Sequence, residues 1–234
     1  WGFGLKNAQN VDSAKVDSIM SFMGFRTDLI DLDEVENDSV YLESHIIKGD
    51  LRSRLDFNAI AQGYTVDMIL DLLLEEGVEN AMVELGGEVR CVGVNNKGDT
   101  WKIAVDKPID SGHENREFQA IIPVNNASVC TSGNYRKFVE VDGIKRSHSI
   151  DPRTGFPVEH NLLSVTIKAS DAAIADAYAT ACMVLGPVEG KFFIEERIND
   201  APQYKLDALF IMGGEDGYEY WVSPGWEEVI TLLD

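Results

Sequence analysis

Cysteine is scarce in this chain: Cys91, Cys130 and Cys182 are the only three, odd in number and without paired spacing. That excludes a disulfide framework and a zinc ribbon, and leaves all three as small buried hydrophobes. Basic residues are short as well. Twenty Lys and Arg face forty Asp and Glu, and the formal charge of -20 opposes nucleic acid and anionic membrane surfaces as partners. No stretch approaches the roughly 18 uninterrupted apolar residues of a membrane-spanning helix. There is no Walker loop, no Gly-x-Gly-x-x-Gly fingerprint, no serine elbow and no cysteine-centred nucleophile signature, so the commonest nucleotide-binding and hydrolase patterns are missing.

What is present is ordinary globular composition, 44% hydrophobic and 26% charged over 234 residues, enough for a substantial core. The chain opens at Trp1-Gly2-Phe3-Gly4, which reads as a point inside a longer protein. Val16, Ile19, Met20 and Met23 predict a helix over residues 12–23, and Val66, Ile69, Leu70 and Leu73 predict another over 61–76 ending at Gly77. Strands are expected at 29–32, 39–42, 81–85, 88–94, 101–106, 118–124, 162–167, 208–212 and 218–222. Asp142-Gly143 marks a hairpin between 138–141 and 144 onward, and its second arm runs into His148. Residues 128–135, small and polar, read as a loop. Ser170 is placed to cap a helix over 171–185, with Gly186-Pro187 ending it and a further helix over 188–198. Mixed order with hairpins predicts an α+β (mixed α/β) fold, with mixed or antiparallel sheets packed against helices.

The chemistry concentrates in two distant segments. On the helix after Ser170, Asp176 and Thr180 are four residues apart and share a face, with Ala173, Ala177 and Ala181 keeping neighbouring surface small. A carboxylate with a hydroxyl suits Mg²⁺ or Ca²⁺, not a soft transition metal. The alanines also let a second backbone approach, and a carbonyl from the turn at 60–63 is a third candidate oxygen. The other segment is His148-Ser149-Ile150-Asp151-Pro152-Arg153-Thr154-Gly155, where an imidazole sits among charged groups and can take a proton from a hydroxyl or water. Arg136, Lys137, Lys145, Arg146 and Arg153 cluster around it, a cationic region in an acidic protein that suits an anionic small ligand. Thr131-Ser132-Gly133 offers hydroxyls and amides to phosphate oxygens or a flavin edge, and Gly86-Gly87 permits close ligand approach. The pair of segments reads as a metal-assisted site for a phosphorylated ligand.

These motifs resemble a known family, the flavin transferases called FAD:protein FMN transferase, or thiamine biosynthesis lipoprotein ApbE. The resemblance rests on Leu55-Asp56-Phe57-Asn58-Ala59-Ile60-Ala61-Gln62-Gly63-Tyr64-Thr65-Val66-Asp67, Val83-Glu84-Leu85-Gly86-Gly87-Glu88, Thr131-Ser132-Gly133-Asn134-Tyr135, the His148 segment and Ala175-Asp176-Ala177-Tyr178-Ala179-Thr180, in order across residues 55–180. It implies an ApbE-like flavin transferase fold over residues 1–234, lacking an N-terminal portion of the family domain. It implies Mg²⁺-dependent transfer of FMN from FAD, the substrate, to a Thr or Ser hydroxyl of an acceptor protein, with release of AMP. By the same resemblance Asp176, Thr180 and the Ala61 carbonyl hold the metal and His148 is the base. Glu84, Gly86, Gly87, Thr131, Ser132 and Asp151 line the flavin nucleotide pocket. The alternatives are an FAD diphosphatase yielding FMN and AMP, and a non-catalytic flavin-binding or metal-binding surface protein. The family's Ala-Lys-Gly-Tyr is Ala61-Gln62-Gly63-Tyr64 here, which moves the burden of phosphate neutralisation towards Arg136 or Arg153. The implied location is the periplasmic side of a bacterial cell envelope, with a lipid anchor outside this chain.

Overall fold

The computed structural model describes residues 13–24, 30–35, 43–108, 117–134, 138–141, 144–147, 149–215 and 217–233. In chain order the elements are α1 (Ser13–Met20), β1 (Ile30–Val35), β2 (Glu43–Lys48), α2 (Ala61–Glu75), β3 (Ala81–Leu85), β4 (Glu88–Val92), β5 (Trp101–Asp106), β6 (Phe118–Val124) and β7 (Ala127–Gly133). There follow β8 (Phe138–Val141), β9 (Ile144–Ser147), β10 (Leu162–Ala169), α3 (Ala172–Asp200), β11 (Asp207–Gly213), β12 (Tyr218–Val222) and β13 (Thr231–Leu232). No described helix is long and apolar enough to cross a membrane.

A six-stranded sheet, ordered β12-β11-β10-β7-β4-β3 with every described pairing antiparallel, carries α2 and α3 on one face and the smaller β13-β6-β5 sheet on the other. Side-chain alternation along the strands builds both cores at once. On β11, Ala208, Phe210 and Met212 enter the helix-side core with Val66, Ala172, Ala175 and Ala179, while Leu209 and Ile211 meet Val105, Ile122 and Trp226 on the far side. The α+β expectation therefore holds. Residues 128–135 are a correction: 127–133 form β7, a central strand flanked by β10 and β4. Its small residues serve close packing, since Cys130 Sγ lies 3.4 Å from the Ala172 carbonyl under α3.

The Gly186-Pro187 break is present as expected. α3 is two helices joined across a kink at Gly186, whose φ of 80° and ψ of -179° leave the helix, so one helix ends and the next begins where Gly186-Pro187 predicts. Pro187 has no N–H for the Met183 carbonyl, four residues earlier. His160 supplies the missing donor, Nε2–H to Met183 O at 2.9 Å, while its Nδ1 accepts the Leu162 N–H at 3.3 Å. A side chain at Gly186 would meet the His160 ring at 2.8 Å. The α1 helix, with Val16 buried, packs on Gly155 of the His148 segment. The paired arms Val141 and Ile144 confirm the hairpin, whose turn at Asp142-Gly143 lies outside the described residues, as do residues 39–42 and the opening Trp1-Gly2-Phe3-Gly4.

The tightest contact is between α2 and α3. A Cβ built on Gly63 would stand 2.3 Å from the Ala172 carbonyl oxygen, so only glycine lets the helices meet at this distance. Gly63→Ala is expected to destabilise the chain by about 1–3 kcal/mol through forced separation of the helices. Thermal or urea denaturation checks this, and an unchanged midpoint contradicts it.

Candidate functional site

The site grows from that helix crossing. With α2 and α3 in contact, the Gly63 N–H at the start of α2 donates to Asp176 Oδ2 at 3.0 Å. Asp176 is 5% exposed, and burial pushes its carboxyl above the usual carboxylate range, opposed only in part by the Gly63 bond. Its other oxygen, Oδ1, accepts no hydrogen bond among the described residues. One turn on, Thr180 Oγ1 lies 3.1 Å from Ser132 Oγ on β7. The predicted Asp176-Thr180 face thus meets both the turn at 60–63 and the Thr131-Ser132 motif.

Ala61 opens α2, two residues before Gly63, and its carbonyl accepts the Thr65 hydroxyl at 2.7 Å. That hydroxyl must rotate away before the oxygen can meet a cation. Gly86 is drawn in by Gln62, whose Nε2 reaches the Leu85 carbonyl at 3.5 Å and would lie 2.3 Å from a Cβ at Gly86. Glu84 closes the adjoining turn by accepting the Gly87 N–H at 2.8 Å. Gly86 has φ +68° and Gly87 φ +111°, backbone that side chains rarely adopt.

Two predicted residues stand apart. Thr131 precedes Ser132 and therefore points to the opposite face of β7, where its hydroxyl lies 2.9 Å from that of Thr166. Asp151 belongs to a cleft of about 720 Å³ beside the later turns of α3, lined also by Arg153, Phe156, His160, Val184 and Glu189. Arg153 binds Asp151 through Nη2 at 2.9 Å and Glu189 through Nη1 at 2.8 Å. The Arg153 guanidinium holds the Asp151 carboxyl below its usual range. Arg153 is thus committed to carboxylates and is no spare cation for phosphate. His148, Arg136 and Lys137 lie outside the described residues, as do the side chains of Lys145 and Arg146. The flank of His148 is fixed nonetheless: Ser149 Oγ donates to Asn134 Oδ1 at 3.1 Å, two residues beyond Ser132.

Sequence reasoning missed Asp67. It takes the cap assigned to Ser170, accepting the N–H groups of Ala172 at 2.9 Å and Ala173 at 2.8 Å, while Asp171 at the N-cap makes no side-chain cap bond. Its signal was an acidic residue on the apolar face of α2, between buried Gly63 and Leu70.

Among the described residues no group of three or more His, Cys, Asp and Glu forms a cage. The available donors are hard oxygens: the open Asp176 Oδ1, Thr180 Oγ1 and the Ala61 carbonyl. They fit Mg²⁺, which binds through one or two carboxylates and fills its remaining positions with water and phosphate oxygens. The cysteines are spectators, since burial pushes the Cys91 and Cys182 thiols up to about 12 and Cys130 upward as well.

A helix pair on an antiparallel sheet, with a carboxylate and hydroxyls gathered where the helices meet, is the architecture of the flavin transferase fold. The chain belongs to the ApbE family, whose family model matches residues 1–204. It superposes on the apo form of the Pseudomonas stutzeri flavinyl transferase ApbE with a TM-score of 0.77 at 28% identity, covering 98% of this chain and 64% of that one. For the flavin transferase ApbE from Vibrio cholerae the TM-score is 0.75 at 29% identity, with 98% and 67% covered. The FAD:protein FMN transferase of Escherichia coli K12 is 35% identical over 177 residues, 76% of this chain and 48% of that protein. That of Treponema pallidum is 38% identical over 190 residues, 77% and 49%. The chain thus spans about half the length of these two relatives.

Because the folded-state pKa of Asp176 lies above that of the unfolded chain, its contribution to stability is fully present below the unfolded value and is lost as pH rises through the folded one. In metal-free buffer, Asp176→Asn should therefore melt a few degrees higher than the unaltered chain at pH 7, on the order of 1 kcal/mol for a chain of this size. The gap should close as pH falls through the carboxylate range. Equal melting temperatures at pH 7 would contradict it.

Proposed function

We propose that the protein transfers the FMN moiety of FAD to a Thr or Ser hydroxyl of an acceptor protein, with a divalent cation, Mg²⁺, at Asp176, Thr180 and the Ala61 carbonyl. The observation that carries this is the Gly63 N–H on Asp176 Oδ2, which brings the first turn of α2 against the one buried carboxylate of α3 and leaves Oδ1 open. The names borne by the relatives support the reaction class. When bound, the cation supplies neutralisation of the diphosphate and of the charge developing on the leaving AMP.

The chain's own groups divide the remaining work. Gly63 orients Asp176, and Ser132 orients Thr180, so neither donor needs to be ordered at the moment of reaction. Gly87 faces open space that leaves room for the flavin nucleotide, while the Gln62 side chain covers Gly86. In the proposed step the acceptor oxygen attacks the FMN-side phosphorus, the bond from that phosphorus to the bridging oxygen breaks, and AMP leaves with that oxygen. His148 receives the hydroxyl proton. With water as the nucleophile, the same step gives FMN and AMP. The periplasmic face of a bacterial envelope is the proposed location, by family resemblance.

Incubation with FAD, Mg²⁺ and a co-expressed acceptor should produce acceptor carrying one FMN on Thr or Ser by mass spectrometry, with AMP released in step. EDTA should abolish both. His148→Ala should slow transfer by about 10²–10⁴-fold while FAD affinity is kept. AMP release at the same rate with and without acceptor, and no flavin on protein, would replace transfer by FAD hydrolysis.

A further inference from the structure

The α2–α3 contact is held at two points one helical turn apart. Gly63 and Asp67 share a face of α2. The first binds Asp176 at the second turn of α3, and the second binds the free N–H groups of Ala172 and Ala173 at its first turn. Asp67 is 8% exposed. Arg90 of β4 holds it from behind, Nη1 to Oδ1 at 2.9 Å, and reaches Asp71 with the same nitrogen at 3.2 Å.

We propose that Asp67, secured by Arg90, is a positioning residue for the cation site. It sets the slide and rotation of α3 against α2, and with them the placement of the Asp176 carboxylate relative to the Ala61 carbonyl. A helix fixed at one point still pivots about it, whereas two bonds a turn apart stop the pivot. Mg²⁺ demands near-ideal octahedral geometry at about 2.0–2.1 Å, so a small pivot is felt as lost affinity. Asp67 reaches the site only through the α3 backbone. The inference rests on the reading of Asp176, Thr180 and Ala61 as the cation site.

The test is Mn²⁺ binding to the whole chain without FAD, followed by electron paramagnetic resonance, in the unaltered chain, Asp67→Asn, Asp67→Glu, Asp176→Asn and the Asp67→Asn/Asp176→Asn pair. Asp67→Asn keeps the shape but turns an amide N–H towards a backbone donor or Arg90. It should weaken Mn²⁺ binding about 10–100-fold, as changes behind a metal ligand do, with the circular dichroism spectrum retained. Asp67→Glu keeps the charge but pushes α3 away by a methylene, and should weaken binding in the same direction. The double variant should bind no worse than Asp176→Asn alone, because a carboxylate already removed cannot be misplaced. Unchanged Mn²⁺ affinity in Asp67→Glu, or losses that add in the double variant, would overturn the proposal and leave Asp67 a helix cap only. Should Asp67→Asn fail to fold, Asp67→Glu decides alone. Absence of Mn²⁺ binding by the unaltered chain, or undiminished binding in Asp176→Asn, removes the cation-site reading itself, so the two failures are distinguishable.

Discussion

The architecture turns on one backbone hydrogen bond, from the Gly63 N–H to the buried carboxylate of Asp176. Burying a carboxylate without partners is costly, and this one keeps a single donor. The bond exists only because a residue without a side chain sits where the Ala172 carbonyl leaves no space for a methyl group. Close packing and chemistry are therefore the same event here. The glycine admits the neighbouring helix, and that helix delivers the acid.

Around that bond the fold assigns each motif by strand and helix geometry. Consecutive residues of β7 face opposite ways, so Ser132 joins Thr180 whereas Thr131 joins Thr166 between the sheets. Residues four apart on α3 face the same way, so Asp176 and Thr180 lie on one side of it. The Asp151 segment belongs to a different neighbourhood, beyond Thr180 along α3, and its aspartate is already satisfied by Arg153.

Legibility in the sequence followed the range of the interactions. The boundaries of β5 and β6 and the start of α2 come from local alternation and periodicity, and they match residue for residue. The Asp176-Thr180 pair was visible because helix spacing is local. Residues 128–135 failed because small polar side chains are the mark of loops when nothing lies above them, and here a helix does. The cap of α3 failed for a similar reason: Ser170 is the local candidate, but the carboxylate that satisfies those amides comes from Asp67, more than a hundred positions earlier. The Gly186-Pro187 stop was legible because glycine and proline act on their own backbone, whereas the His160 donor that meets the freed Met183 carbonyl comes from outside the helix and no nearest-neighbour rule anticipates it.

That histidine sits at a boundary. It meets the Met183 carbonyl at the kink of α3, with Asp176 in the segment before Gly186 and Glu189 in the segment after it. Glu189 grips Arg153, which grips Asp151, three residues beyond His148. The stretch following the imidazole is therefore moored beyond the seam, to the segment on the far side of Gly186 from the turns that bear the acid.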